Sequence, residues 1–344
     1  MKKLVLVMMV CLSVVCFVVP EANASQMPNH YQRQQLQRTL VHSKANVVLL
    51  VNGQTKRQPL VLTNATVNPK SAQHLTADRL FPIGSTQKWL TGLMVLRTIK
   101  GGHLSLNTTL NHYYPQVNDS NQITIWRLLT HTSGLADQGR FAQQVLTNQQ
   151  QQESYSLSHY QSTGGTGWQY ASINYVLLAG ILSKINHRPY RELLIQELAR
   201  PAHLHDLKFY YQIRNAQMVP SSLLLTGDQN NDWQHLQSQL STTLGAGDLL
   251  MTPRNYWQLL NYSLDHYRPE FRQIVRTKVN TPSHYFAGFY VNGPLLHDNG
   301  TVDGYTCVVY TNRYRSLMLF SNSLSSQQTD QLAGQLAQIY FNQK

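Results

Sequence analysis

The chain has 344 residues, with 28 lysines and arginines against 16 acidic residues and a formal charge of +12. That length is ample for one large domain or two intimately packed ones. The basic excess comes with no basic run interleaved with stacking aromatics and no nucleic-acid motif, which argues against a nucleic-acid partner and leaves a diffusely basic surface suited to polyanions.

The chain opens Met1-Lys2-Lys3, is apolar over 4–20, and reaches Ala22-Asn23-Ala24 before turning polar. A basic start, a short apolar core and a small-x-small site read as a secretory signal over 1–24, cut after Ala24. The expected product is 25–344, extracytoplasmic and either secreted or envelope-associated; retention of the signal as an anchor stays open. No lipoprotein box precedes Cys11 or Cys16, and no other stretch is apolar for the roughly 18 residues of a membrane span. With the signal gone the charge is +11 and Cys307 is the only cysteine, so no intrachain disulfide forms. Its setting, Tyr305-Thr-Cys-Val-Val-Tyr, is an apolar strand pattern, which makes it a small core residue rather than a nucleophile.

In chain order, 29–44 has Tyr31, Leu36, Leu40 and Val41 at helical spacing, and two strands follow at 45–51 and 60–67. A helix begins after Ser85 with Trp89, Leu90, Leu93, Met94 and Leu96, and stops at Gly101-Gly102. The Gln-rich segment 138–158 reads as a surface excursion. Helices are predicted at 123–129, 174–186, 191–199 and after Thr252-Pro253, where a cap and a first-turn proline coincide. Strands return at 285–291, 304–311 and 316–322, and a helix over 329–341 closes the chain. Strands at both ends with helices between imply a sheet built from the two termini, about 25–84 and 270–344, with a helical part of about 85–269 inserted.

Ser85 precedes Lys88 by three residues at the start of a helix, so the two share a face. A deprotonated lysine there can take the serine proton, and the free N–H groups of a first turn favour negative charge on oxygen. Ser-x-x-Lys alone is weak, since roughly one is expected by chance in a chain of this size. Tyr170 stands at a loop-to-helix junction in Tyr170-Ala171-Ser172 and reads either as a packing tyrosine or as a phenol that, near two cations, can have a lowered pKa and act as acid or base. Asp298-Asn299-Gly300-Thr301 reads either as a turn or as a glycine-bearing strand edge whose Thr301 N–H pairs with that of Ser85 as an oxyanion site.

Five blocks then stand in order: Phe81-x-Ile-Gly-Ser-x-x-Lys88, Ile123-Thr-Ile-Trp-Arg-Leu-Leu-Thr-His-Thr-Ser-Gly-Leu135, Tyr170-Ala-Ser-Ile-Asn-Tyr-Val-Leu-Leu-Ala-Gly180, Gly245-Ala-Gly-Asp-Leu249 and Asn299-Gly-x-x-x-Gly-Tyr305. Together they resemble the serine β-lactamase and penicillin-binding-protein superfamily, closest to its class C-like secreted esterases and carboxypeptidases, over nearly the whole mature chain. The resemblance implies an α/β fold of the β-lactamase/transpeptidase type: an antiparallel sheet flanked by helices, plus an all-helical subdomain. It implies Ser85 as nucleophile, Lys88 as its base and Tyr170 as the second proton-transfer group. No cofactor and no metal is required.

Two departures bear on substrate. Ser172 stands where the family has an asparagine that bonds the lysine and the acyl amide; serine is shorter. Asp298-Asn299-Gly300 takes the place of Lys/His-x-Gly, although a one-residue bulge would put His297 there instead. A cation there helps hold a substrate carboxylate, whereas an aspartate repels one by about 4 kcal/mol at roughly 4 Å and an effective dielectric of about 20. The pattern suits a D-alanyl ester of a (lipo)teichoic acid, which has a free amine, no terminal carboxylate and a polyanionic backbone, and some relatives of the family are D-alanyl esterases of that polymer. The alternatives are a D,D-carboxypeptidase or weak β-lactamase acting on peptidoglycan precursors, and a non-catalytic protein that binds an envelope polymer. Membrane contact is expected only through the signal or surface charge. His203-Leu-His205-Asp206 matches no usual zinc spacing, and His131 is expected to be structural.

Overall fold

The computed structural model describes residues 27–55, 57–64, 74–139, 141–204, 207–224 and 229–341, with only the backbone given for 229–231. The signal segment, His205 and Asp206 lie outside the described residues, as does the end of the strand expected over 60–67.

Helix α1, His30–Ser43, buries Gln32, Leu36 and Leu40 on one face. Asn29 caps it: its Oδ1 accepts from the Gln32 N–H at 2.8 Å and its own N–H donates to Gln32 Oε1 at 3.1 Å, a reciprocal cap contributing about 1 kcal/mol. A hairpin of β1, Val47–Thr55, and β2, Gln58–Thr63, follows. Strand β3, Phe81–Pro82, leads into a 3₁₀ turn at Gly84–Gln87 and then α2, Lys88–Lys100. Every residue from Lys88 to Leu96 is buried, so this helix is enclosed on all sides and forms the centre of the molecule.

The middle of the chain carries α3, Ile125–Leu129; β4, Leu135–Asp137; α4, Gln149–Ser158; β5, Tyr160–Ser162; α5, Ile173–Asn186; and α6, Tyr190–Leu194, which runs on as a π turn through Ile195–Ala199. Beyond it come β6, Lys208–Phe209; α7, Gln229–Ser241; β7, Leu249–Met251; α8, Pro253–His266; and α9, Arg268–Arg276. Thr252 caps α8 with Pro253 in its first turn. The 138–158 segment is not simply a surface excursion. Its second half folds into α4, whose Gln152 is fully buried and accepts from Arg191 at 2.7 Å, while Glu153 accepts from Tyr114 at 2.7 Å. Polar composition concealed this, because long side chains that satisfy buried hydrogen bonds read in sequence like solvated ones.

The remaining strands are β8, Tyr285–Phe286; β9, Phe289–Asn292; β10, Leu295–Val302; β11, Tyr305–Thr311; and β12, Ser316–Ser321, before the last helix α10, Ser326–Phe341. The single strand expected over 285–291 is instead the β8–β9 hairpin, turned at Ala287 and Gly288, both with positive φ. The large sheet is antiparallel in the order β2-β1-β12-β11-β10-β9-β8, and β1 pairs Val47 with Ser321 and Val51 with Leu317, so both ends of the chain build one sheet. Val47, Leu49 and Val51 pack against α1 and α10 through Leu36, Leu40, Leu336 and Tyr340. Val48 and Leu50 face the opposite core, which contains α2, α5 and α8. Burial on both faces explains why β1 reads as a continuous apolar run rather than an alternation. Cys307 is a free, buried residue of β11.

Candidate active site

Register decides what β10 presents. Strand β9 covers β10 at residues 295–297, pairing Leu295 with Asn292 and His297 with Tyr290, so among the described residues β10 has no strand partner on that edge from Asp298 onward. Into this open edge fits the 3₁₀ turn that carries Ser85. Main chain meets main chain there: a Cβ on Gly300 would stand 2.3 Å from Ile83 O and 3.0 Å from Ser85 N, and one on Gly84, at φ 52°, would stand 3.1 Å from Thr301 N. Only glycine permits that approach. It brings the amides of Ser85 and Thr301 to the same seam.

Lys88, one residue beyond the 3₁₀ turn, is fully buried. Its Nζ donates to Ser85 Oγ at 2.9 Å, to Ala246 O at 3.0 Å and to Ser172 Oγ at 3.4 Å. Burial brings the ammonium down to about 8, opposed by the charges of Asp137 and Asp298. A lysine poised there is deprotonated in an appreciable fraction near neutral pH and can serve as a base.

Tyr170 shares a hydrogen bond with Ser85, and its ring centroid lies 4.9 Å from Lys88 Nζ. Its residue surface is 37% exposed at the mouth of the site. The expectation of a phenol lowered by two cations is not met. Desolvation raises Tyr170 well above its ordinary value, the bond from Ser85 pulls it back only in part, and the Asp298 charge raises it further. Tyr170 therefore rests as a neutral phenol, suited to giving a proton to a leaving oxygen.

Alternation along β10 separates the remaining candidates. His297 faces away from the serine, stacked on Tyr310 with ring centroids 4.4 Å apart, and burial holds it down at about 4. Asn299 shares that face, and its amide donates to Asp330 at 3.1 and 3.3 Å. Its side chain is thus turned from the site where the sequence placed it among substrate contacts. Asp298 lies on the serine side, 2% exposed, with its Oδ2 lacking a hydrogen-bond partner among the described residues. Burial raises its carboxyl well above the usual range, and Lys88 offsets part of that. An acid thus stands where a cation was the alternative, so a substrate carboxylate finds no positive partner there.

Two contributors, Ala246 and Asp137, escaped the sequence reading, and His131 has the structural role expected of it. The Ala246 carbonyl clasps Lys88 from the Gly245–Asp248 loop, and that loop is braced by Asp248, which accepts from Gln87 at 2.8 Å and meets Arg191 at 3.5 Å. The block was visible in sequence, but the atom that holds the lysine is a main-chain carbonyl, which carries no signature of residue type. Asp137 caps α5, accepting from the N–H groups of Ser172 at 2.6 Å and Ile173 at 2.9 Å, and its charge reaches Lys88. Thirty-five residues separate the cap from the helix it caps. His131, fully buried, accepts from Ala171 N at 3.2 Å through Nδ1 and packs its ring 4.4 Å from that of Tyr170. Burial and the nearby Lys88 charge push its pKa well down, so it is a neutral brace for Tyr170.

No group of three or more His, Cys, Asp or Glu side chains able to hold a metal occurs among the described residues. No helix among them is long and apolar enough to cross a membrane.

An antiparallel sheet closed by both termini, with a serine and a buried lysine at the turn between it and the central helices, belongs to the serine hydrolases of the β-lactamase and penicillin-binding-protein type. Residues 45–339 match the family model described as Beta-lactamase, and the chain belongs to that family. It is 24% identical over 75% of its length to the penicillin-binding-protein-like PbpX of Bacillus subtilis (strain 168), and 26% identical over 69% of its length to the teichoic acid D-alanine hydrolase of Staphylococcus aureus (strain MRSA252). The matched parts span 66% and 60% of those two relatives, so the chain covers under two thirds of their length. The crystal structure of FmtA from Staphylococcus aureus superposes with a TM-score of 0.74, covering 92% of this chain and 88% of FmtA at 19% identity, a likeness of fold.

Proposed function

We propose that the protein is an envelope-facing D-alanyl esterase acting on (lipo)teichoic acid through an acyl-enzyme on Ser85. The observation that carries this reading is the pairing of the Ser85–Lys88 contact at 2.9 Å with an acid, Asp298, on the same side of the seam where the family places a cation. Neutral Lys88 takes the Ser85 proton as Oγ bonds to the ester carbonyl carbon. The amides of Ser85 and Thr301 hold the oxyanion. Collapse breaks the ester C–O bond; Tyr170 gives its proton to the departing alkoxide and regains one from the Lys88 ammonium. Water then repeats the sequence in reverse, releasing D-alanine and free Ser85. An arriving D-alanyl ammonium favours the ionised form of Asp298, because an opposite charge nearby offsets the cost of a buried carboxylate. The matched teichoic acid D-alanine hydrolase supports the same substrate class.

A second reading, D,D-carboxypeptidase or weak β-lactamase, is favoured by the similarity to PbpX. The deciding experiment compares release of free D-alanine from D-alanylated lipoteichoic acid and from a stem pentapeptide, with wild type and Ser85→Ala side by side. Release from lipoteichoic acid that Ser85→Ala abolishes is the expected result. Release from the pentapeptide alone would replace the esterase with the carboxypeptidase. Polymer binding without any release, unchanged in Ser85→Ala, would leave a non-catalytic binding protein.

A further inference from the structure

A cavity of about 190 Å³ lies beside α9 and shares no residue with the catalytic cluster. Its floor is apolar: Leu264, Phe271, Val275 and Leu296. Its rim is cationic, with Arg268, Arg272 and Arg276 along one wall and Arg313, from the β11–β12 hairpin, also lining it.

The three helical arginines sit at successive i, i+4 positions of α9, so like charges stack on one face, an arrangement unfavourable to the isolated helix. Neighbouring carboxylates do little to relieve it. Asp265 reaches Arg268 only at 4.0 Å, and Glu270 turns inward, buried, to accept from Lys100 at 3.1 Å. The side chains of Arg272 and Arg276 have no ion pair or hydrogen bond among the described residues. Beside the rim, Tyr314 is 58% exposed, with the Arg313 guanidinium 5.5 Å from its ring centroid. Arg272 and Arg276, without such a partner among the described residues, stand over an apolar floor beside an exposed tyrosine and complement a molecule that carries a phosphate on a hydrocarbon chain.

We propose that this groove docks the protein on an anionic phospholipid leaflet, with an acyl chain against Phe271 and Val275 and lipid phosphates on Arg272 and Arg276. The inference stands independently of the substrate read for Ser85.

The test uses the chain from Ser25, which keeps every described element, sedimented with phosphatidylglycerol or phosphatidylcholine vesicles. The expected preference for phosphatidylglycerol is about tenfold or more, and Arg272→Glu with Arg276→Glu should weaken it by about tenfold. Arg33→Glu with Arg38→Glu on exposed α1 changes the net charge equally and should cost about twofold or less. Val275→Ser should remove the binding that survives at about 0.5 M salt, where the charge contribution is screened. Circular dichroism reports folding, and Arg272→Gln with Arg276→Gln replaces the reversed pair if that pair melts early. Equal loss in the α1 control would assign binding to diffuse charge and overturn the groove. So would equal affinity for phosphatidylcholine, or arginine-dependent binding to soluble poly(glycerol phosphate) with none to vesicles.

Discussion

Lys88 Nζ lies 2.9 Å from Ser85 Oγ, yet the lysine is sealed from solvent while the serine is half-buried at the seam with β10. One partner of the contact is thus tuned by the protein interior and the other stays accessible to a substrate.

That difference sets a pH dependence. A base must be unprotonated to act, and burial brings Lys88 down to about 8. Acylation of Ser85 by a fluorescent ester or phosphonate should rise with pH through about 8 and level off above it. Lys88→Arg should lose activity across the range, since arginine does not deprotonate. A flat profile between pH 6 and 9 would remove Lys88 as the base.

The same burial costs stability. The folded value, about 8, lies below the ordinary lysine value of 10.5, so between them the unfolded chain binds more protons and stability rises with pH. Below about 8 the full cost applies, about 3 kcal/mol in order of magnitude. Lys88→Met should therefore melt higher than wild type at pH 7, less what is lost when Ala246 O and Ser172 Oγ surrender their donor. The gap should narrow as pH rises from 8 to 10.5, read by thermal unfolding across that window.

Asp298 raises Lys88 through its charge, so Asp298→Asn should shift the acylation profile to lower pH. It should also reduce the preference for a D-alanyl ester over the same ester with its amine acetylated. Steady-state kinetics on the matched pair read this. Unchanged selectivity would free Asp298 of any part in recognising the ammonium.

Gly300→Ala places a methyl 2.3 Å from Ile83 O and against Ser85 N. The seam has to open, which displaces the paired amides. A fall in kcat of about 10²-fold or more is expected, the scale of losing one oxyanion donor. KM should change little, and the single-turnover acylation rate should fall with kcat.

Much of the fold was legible in the residues. Apolar runs at 45–51, 304–311 and 316–322 became β1, β11 and β12, and Asn29, Thr252 and Pro253 marked helix starts because caps act within a turn of themselves. Reading failed where contacts are long-range. The Gln-rich α4 is a packed element because Arg191 and Tyr114 reach it from distant segments, and Ala287-Gly288 splits an apolar run that looks like one strand.

In the candidate site, local spacing alone paired Ser85 with Lys88, since three residues along a helical turn share a face whatever the rest of the chain does. The order of five short blocks was enough to place the chain among the β-lactamase-like proteins. Only the tertiary structure decided that Asp298, and not His297 or the Asn299 side chain, shares the serine's side, because pleating along β10 and its register with β9 assign each residue to a face. It also decided the directions of titration: a buried lysine brought down to about 8, and a tyrosine and an aspartate both raised, follow from desolvation, which depends on what folds around a group and not on its neighbours in sequence.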